Sequence, residues 1–356
     1  KLMTNNPDYI VGGAGSAGCV LANRLSEDSD VRVVLLEAGP KDRHPMIHIP
    51  AGIRTLLEHP VINWNYSSEP EEGSGGRRIH WPRGKVLGGS SSINGMLYVR
   101  GQSQDYDTWA QMGNKGWSYR DVLPHFRKME TYEGLGDDEF RGRNGPLRVT
   151  NPDWQDPLFT SIIRAAGEMG IEHNPDYNGA YQDGIAMSQA TISRGRRMST
   201  AYCYLEPIRN RKNLNVRTNA LAESLLFNYA RCTGVRYRIG SDVRDARALR
   251  EVLVSGGSVN SPQLLELSGI GQGERLRELG IEVRHELKGV GENLRDHYSP
   301  RMKWSVPREL GLTYNDKGRG LGLVWQALKY ALTDKGLLGI PASPIRAYER
   351  TREGLE

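Results

Sequence analysis

The chain has 356 residues, long enough for two domains or one large one, and its 47 Lys and Arg interleave with 42 Asp and Glu, so a net charge of +5 forms no nucleic-acid stripe. Its three cysteines, Cys19, Cys203 and Cys232, match neither a disulfide framework nor a paired metal site. No apolar run has a secretory cleavage pattern or the roughly 18-residue length of a membrane span, so the expected setting is cytoplasmic.

Residues 8–12 (DYIVG) and 31–36 (VRVVLL) are short apolar runs that predict strands. Between them Val20, Leu21 and Leu25 fit one helix face, which makes a βαβ unit. Gly13-Ala14-Gly15-Ser16-Ala17-Gly18 sits where the first strand gives way to that helix, the context that gives a G-x-G-x-x-G pattern its meaning. Gly13 permits the tight turn and Gly15 lets backbone approach a pyrophosphate. Gly18 allows close helix–strand packing, and the helix N-terminus faces the anion. Glu37 ends the second strand, where a carboxylate accepts hydrogen bonds from a ribose diol. NAD and FAD both fit these residues.

Residues 40–83 read as loop, rich in Pro and Gly. The segment 84–95 (GKVLGGSSSING) packs small residues around few charges, which suits close backbone approach to a flat ring or a phosphate. Residues 105–212 mix helical pieces such as RDVLPHFRKME with irregular Gly/Asn/Asp stretches, and read as mainly an inserted subdomain. From Leu214 to about Gly257 the chain is strand-rich, with alternation in VRYRI and a buried-type run in EVLVSGG, and is expected to return to the first sheet. Residues 257–271 (GSVNSPQLLELSGIG) predict a helix over SPQLLEL, preceded by small residues and ended at Ser268-Gly269. One further amphipathic helix is predicted in LGLVWQALKYALTD. Trp64, Trp81, Trp109, Trp117, Trp154, Trp304 and Trp325 are scattered, and core packing is the expectation for most of them.

Taken together, GKVLGGSSSINGMLYVRGQSQDYD at 84–107, GSVNSPQLLELSGIG at 257–271 and GVGENLRDH at 289–297 resemble recurring segments of the glucose-methanol-choline (GMC) oxidoreductases. The resemblance implies an α/β fold: a Rossmann-type FAD-binding domain with a parallel sheet (7–104 and 213–302) and an inserted, incomplete α+β substrate domain (105–212 and 303–356). By that likeness Gly13, Gly15, Ser16, Ala17, Gly18, Glu37 and Ala38 hold the ADP half of FAD. Val86, Gly88, Gly89, Ser90, Asn94, Gly95, Met96 and Leu97 line the flavin, Ala220, Leu221 and Ala222 approach the adenine, and Gly257 adds a cofactor contact. Some relatives attach FAD through a His at the place of Ile93; Ile cannot form that bond, so noncovalent FAD is implied.

The implied reaction is hydride transfer from a primary alcohol, choline-like, aliphatic or aromatic, to the flavin, with oxygen or a quinone-like carrier as electron acceptor and no nucleic-acid partner. Family catalysis uses a late His, and none of His44, His48, His59, His80, His125, His173, His285 and His297 lies in that context, so no catalytic residue is assigned. The chain is therefore expected to be the N-terminal portion of a longer enzyme, inactive alone and binding FAD weakly or aggregating, with peripheral membrane attachment of the longer protein left open. A noncatalytic flavin-binding module, a lyase of the same family and an NAD-dependent dehydrogenase are the other readings.

Overall fold

The computed structural model describes residues 6–151, 156–297, 305–310, 313–350 and 352, so Trp154 and Trp304 lie outside the described residues. The chain divides into two compact units: Lys1–Arg43, Leu56–Ile93 and Ser199–Lys303 form the first, and His44–Thr55, Asn94–Met198 and Trp304–Glu356 the second. Residues 44–55 and 94–104 thus cluster with the second unit, and 199–212 with the first.

The first unit is built on strands β1 (Tyr9–Gly12), β2 (Val33–Leu36), β3 (Leu214–Arg217) and β7 (Glu251–Val254), all parallel and ordered β3-β2-β1-β7. Between β3 and β7 the chain makes an antiparallel three-stranded meander, β4 (Leu221–Asn228), β5 (Arg231–Ile239) and β6 (Asp242–Arg247). The expected return to the first sheet is therefore made by the two ends of the 214–257 stretch, while VRYRI lies in the meander.

Burial explains the two kinds of pattern. All four residues of β2 are buried, as a parallel strand covered on both faces requires. Ile10, Val34 and Leu36 join Leu225, Val235 and Tyr237 of the meander and Leu264 of the following helix in one core. Val11, Val33 and Leu35, of opposite parity and fully buried, point to the other face. In β5 the alternation turns Val235 and Tyr237 inward and leaves Arg236 to pair with Asp245 on the exposed side at 2.8 Å.

Helix α1 (Ser16–Leu25) departs from the sequence expectation. Its buried residues are Gly18, Cys19, Ala22 and Asn23, whereas Val20, Leu21 and Leu25 are only half-buried. Small side chains let the helix axis approach closely, so the contact face is set by size more than by hydrophobicity. Helix α2 (Gly257–Leu267) begins four residues before the predicted SPQLLEL, with Pro262 inside it. That proline forgoes one backbone hydrogen bond in the second turn, and the turn before it forms regardless.

The second unit holds helices Ser103–Gln111 and Tyr119–Met129, each opened by a reciprocal capping box, Gln102 with Asp105 and Ser118 with Asp121. A polar cluster is buried among its apolar residues: Glu130, wholly buried, accepts from Arg141 at 2.9 Å and pairs with Arg100 at 2.6 Å, and Arg141 also meets Asp176. Burial opposes ionisation of Glu130, but Arg141 and Arg100 outweigh it and hold the carboxyl below its ordinary range. The strand Ile345–Tyr348 pairs antiparallel with Gly184–Met187, and the predicted helix forms over Gly320–Thr333. No helix of the described residues is long and apolar enough to cross a membrane.

Candidate dinucleotide site

Strand register brings the site together. Gly12 pairs with both Leu36 and Val254, and Leu36 with Arg217, so all four parallel strands end at one level. The segments that follow them, 13–15, 37–39, 218–220 and 255–257, therefore leave from the same carboxyl edge, where open α/β sheets bind ligands. A cleft of about 450 Å³ lies there.

Its floor is the turn into α1. Any Cβ on Gly18 would sit 1.8 Å from the Gly13 carbonyl oxygen, so this glycine serves the packing of α1 on its own turn. Residues 84–92 press on the same turn: Gly88 N–H donates to Ala14 O at 2.8 Å, and Gly89, at φ +54°, would place a Cβ 2.7 Å from the Gly15 Cα. From a third direction Ser255 donates its hydroxyl to Gly13 O at 2.8 Å. The 84–92 and 255–257 segments thus both pack on the one turn, with Gly15 left open toward the cleft, its nearest neighbour to an added Cβ being 3.9 Å away.

Glu37 is only 5% exposed, and its two carboxylate oxygens accept from Ala14 N at 3.0 Å and Gly39 N at 2.9 Å. Burial pushes its pKa up to about 7, against the pull of both backbone donors and of Lys85. The Glu37 carbonyl receives Ala220 N–H at 2.7 Å, which holds the 220–222 segment at the cleft wall. Glu37 is thus both a cleft residue and a brace for the glycine turn.

Of the residues singled out in the sequence, Gly13, Gly15, Ser16, Ala17, Glu37 and Ala38 line the cleft, as do Gly89, Ser90, Ala220, Leu221, Ala222 and Gly257. Val86 is fully buried, and Gly88 packs against Ala14 and Ala201. Asn94, Gly95, Met96 and Leu97 belong to the second unit. There Asn94 accepts from Arg197 Nη1 at 2.8 Å, Met96 packs with Ala190 and Ile192, and Leu97 bridges to Ala190. Ile93 is buried. The cleft also contains Arg83, Ser255 and Asn260, which the sequence did not single out, and Trp64, half-buried at the cleft where core packing was the general expectation for the tryptophans. Arg83 was within reach of it, one residue before the 84–95 segment; Trp64 carries no local pattern and is brought in by pairing of Asn63 with Gly84.

Among the described residues no histidine lines the cleft. Cys19 is buried, and burial pushes its thiol up to about 12, toward the protonated form. Among the described residues no group of three or more His, Cys, Asp and Glu could hold a metal ion. What remains is a cradle of backbone N–H groups at a helix N-terminus, a buried acid and an open Gly15, which fits a dinucleotide's pyrophosphate and ribose.

The comparisons agree with this geometry. The chain is 47% identical over 290 residues to an oxygen-dependent choline dehydrogenase of Sinorhizobium fredii, covering 82% of this chain and 52% of that protein. An FAD-dependent oxidoreductase from Chaetomium thermophilum superposes with a TM-score of 0.84 at 30% identity, over 96% of this chain and 61% of the other. A formate oxidase of Aspergillus oryzae gives 0.87 at 27% identity, over 98% and 62%. The chain spans about half the length of the curated relative it matches here. The sequence profile of the GMC oxidoreductases covers residues 7–299, a stretch that contains the glycine turn, the 84–95 segment and α2 alike, and the chain belongs to that family.

Proposed function

We propose that this chain forms the FAD-binding portion of an oxidoreductase that converts a primary alcohol to its aldehyde. The observation that carries this is the contact of the 84–92 and 255–257 segments with the 13–18 turn, which leaves glycine backbone and the Glu37 carboxylate beside one cleft. Bound FAD supplies the acceptor for a hydride leaving the CH–OH carbon. The chain's own part is to bind and orient. N–H groups at the start of α1 meet the diphosphate, Glu37 accepts from the ribose hydroxyls, and Ala220, Leu221 and Ala222 border the adenine. Val86, Gly88, Gly89, Ser90, Asn94, Gly95, Met96 and Leu97 are assigned to the flavin half on family resemblance. The FAD is held noncovalently, because Ile93 offers no atom for a bond to the flavin.

No base for the alcohol proton is assigned to this chain: no histidine among the described residues lines its cleft, and the step needs a group within hydrogen-bond reach of the hydroxyl. Choline is the first substrate to test and oxygen the first acceptor, with quinone-like carriers next, since the relative from Sinorhizobium fredii bears both in its name. A second reading, a noncatalytic flavin-binding module or a lyase, is favoured by the same lack of a histidine.

The test is an absorbance spectrum of the purified chain before and after heating, followed by an oxygen-uptake assay with choline. Flavin bands that pass into the filtrate on denaturation support noncovalent FAD; flavin that stays with the precipitated protein refutes it. A colourless chain that takes up no added FAD overturns the assignment. Alcohol turnover by the flavin-loaded chain rules out the second reading, whereas flavin without turnover is what either reading gives for a chain with no assigned base.

A further inference from the structure

We propose that Arg197 is a positioning residue for the flavin half of the cofactor: it grips the Asn94 amide by its oxygen and so turns the amide nitrogen outward as a hydrogen-bond donor. This rests on the reading of residues 94–97 as the flavin-lining segment. Arg197 is 1% exposed. Its Nε donates to Ile47 O at 2.8 Å, and its Nη1 donates to Asn94 O at 2.7 Å and to Asn94 Oδ1 at 2.8 Å. Burial pulls its pKa down to about 10, so the guanidinium keeps its charge at neutral pH. A hairpin places the residue. Ile192–Ser193 pairs antiparallel with Arg196–Arg197, with Arg197 opposite Ile192; Ile192 packs with Met96, and Thr191 N–H donates to Met96 O at 2.8 Å.

The orientation of the Asn94 amide follows from the chemistry of its neighbours. Asn94 Oδ1 accepts from Arg197 Nη1 and, at 3.1 Å, from Met96 N–H. A guanidinium and a backbone N–H can only donate, so the atom between them is the amide oxygen, and Nδ2 is left on the other side. Asn94 is exposed, and among the described residues nothing accepts from its Nδ2. The bond to Met96 also steadies an uncommon backbone: Met96 is fully buried at φ +61°, a left-handed conformation rare outside glycine. In the chain Asn94 comes two residues after Ser92, the end of the segment that packs on the glycine turn. A donor fixed in advance loses little freedom on binding, and an isoalloxazine ring offers carbonyl oxygens and ring nitrogens that accept.

The test measures Kd for FAD and ADP by calorimetry on the full chain and on N94D, N94A, R197K and R197M. N94D keeps the oxygen that Arg197 and Met96 bond but replaces the outward donor with an acceptor, so a merely structural brace survives it. N94D and N94A are expected to weaken FAD at least about tenfold, the class of a lost hydrogen bond, and to leave ADP unchanged, with the melting temperature of N94D near that of wild type. N94A checks the same loss without a new charge. R197K carries the charge without the fork that reaches Ile47 and Asn94 together, and R197M carries neither, so both are expected to lose affinity for FAD and not for ADP. R197K remains informative if R197M folds poorly. FAD binding by N94D equal to wild type overturns the proposal while leaving the FAD reading intact, as does an ADP loss in N94D equal to its FAD loss, or a wild-type Kd for FAD in R197K. A wild-type chain that binds neither ADP nor FAD overturns the reading of the cleft, and the role of Arg197 with it.

Discussion

Glu37 and Ala14 are joined across the cleft floor by a hydrogen bond of 3.0 Å, from the backbone N–H of the glycine turn to a carboxylate oxygen that is itself almost wholly buried. The bond ties the end of β2 to the turn after β1: the register that sets Gly12 beside Leu36 presents the acid to the turn, and the acid then satisfies a donor that neither the strand nor the helix uses. A second oxygen on Gly39 leaves the carboxylate with spare acceptor capacity toward the cleft.

This arrangement predicts a pH dependence with a definite sign. Burial raises the Glu37 pKa from 4.5 to about 7, so near pH 6 the group is largely protonated. A ribose diol donates to the ionised form, so affinity for FAD or ADP should rise severalfold between pH 6 and pH 8. Glu37→Gln should bind weakly and with a flat profile, as calorimetry at the two pH values will show; a flat wild-type profile rules the mechanism out. Stability without ligand runs the other way. Because the folded-state pKa is raised, the folded chain binds more protons than the unfolded chain between pH 4.5 and about 7, and the contribution of Glu37 falls as pH rises through that window. Its full size is on the order of 3 kcal/mol.

The glycines separate packing from binding. Gly18 and Gly15 are both fingerprint positions, but an added methyl on Gly18 would meet the Gly13 carbonyl at 1.8 Å, backbone that cannot yield, whereas on Gly15 it meets nothing closer than 3.9 Å. Gly18→Ala should therefore lower the melting temperature sharply, by an amount in the class of overpacked cores, about 1–3 kcal/mol or more. Gly15→Ala should leave the melting temperature of the ligand-free chain nearly unchanged and weaken FAD binding at least tenfold, because its methyl occupies the approach to the pyrophosphate. Thermal melts with and without FAD distinguish the two; equal melting losses for both variants would falsify this division of labour.

How far the site could be read in advance follows from which residues act through local pattern. The turn at 13–18, Glu37 and the small-residue segment at 84–95 announce themselves, because backbone approach needs glycine and a strand end needs no side chain to define it. The α1 contact face did not, since Gly18, Cys19 and Ala22 pack through small size where the hydrophobic periodicity points to Val20, Leu21 and Leu25. Trp64 was equally silent: it reaches the cleft through the pairing of Asn63 with Gly84, and its stacking partner Tyr66 is held by Asn260, 194 positions further along the chain. Family resemblance, not periodicity, pointed to Ala220, and its physical basis is the hydrogen bond from its N–H to Glu37 O.

The helix Gly320–Thr333 carries the last prediction. Leu321, Val324, Trp325, Leu328 and Leu332 recur at helical spacing and are 88%, 55%, 65%, 52% and 82% exposed, and the helix has no buried residue. A contiguous apolar stripe of this kind drives association, because each large side chain that leaves water contributes roughly 1.5–3 kcal/mol. Since these side chains contribute little to folding as they stand, replacing them should change stability by no more than about 0.5 kcal/mol each. The triple variant Leu321→Gln, Trp325→Gln, Leu328→Gln is therefore expected to keep the melting temperature within a few degrees and to suppress concentration-dependent self-association in sedimentation velocity. A large melting loss would mean that the stripe is packed in solution, and association that persists unchanged would assign it to another surface.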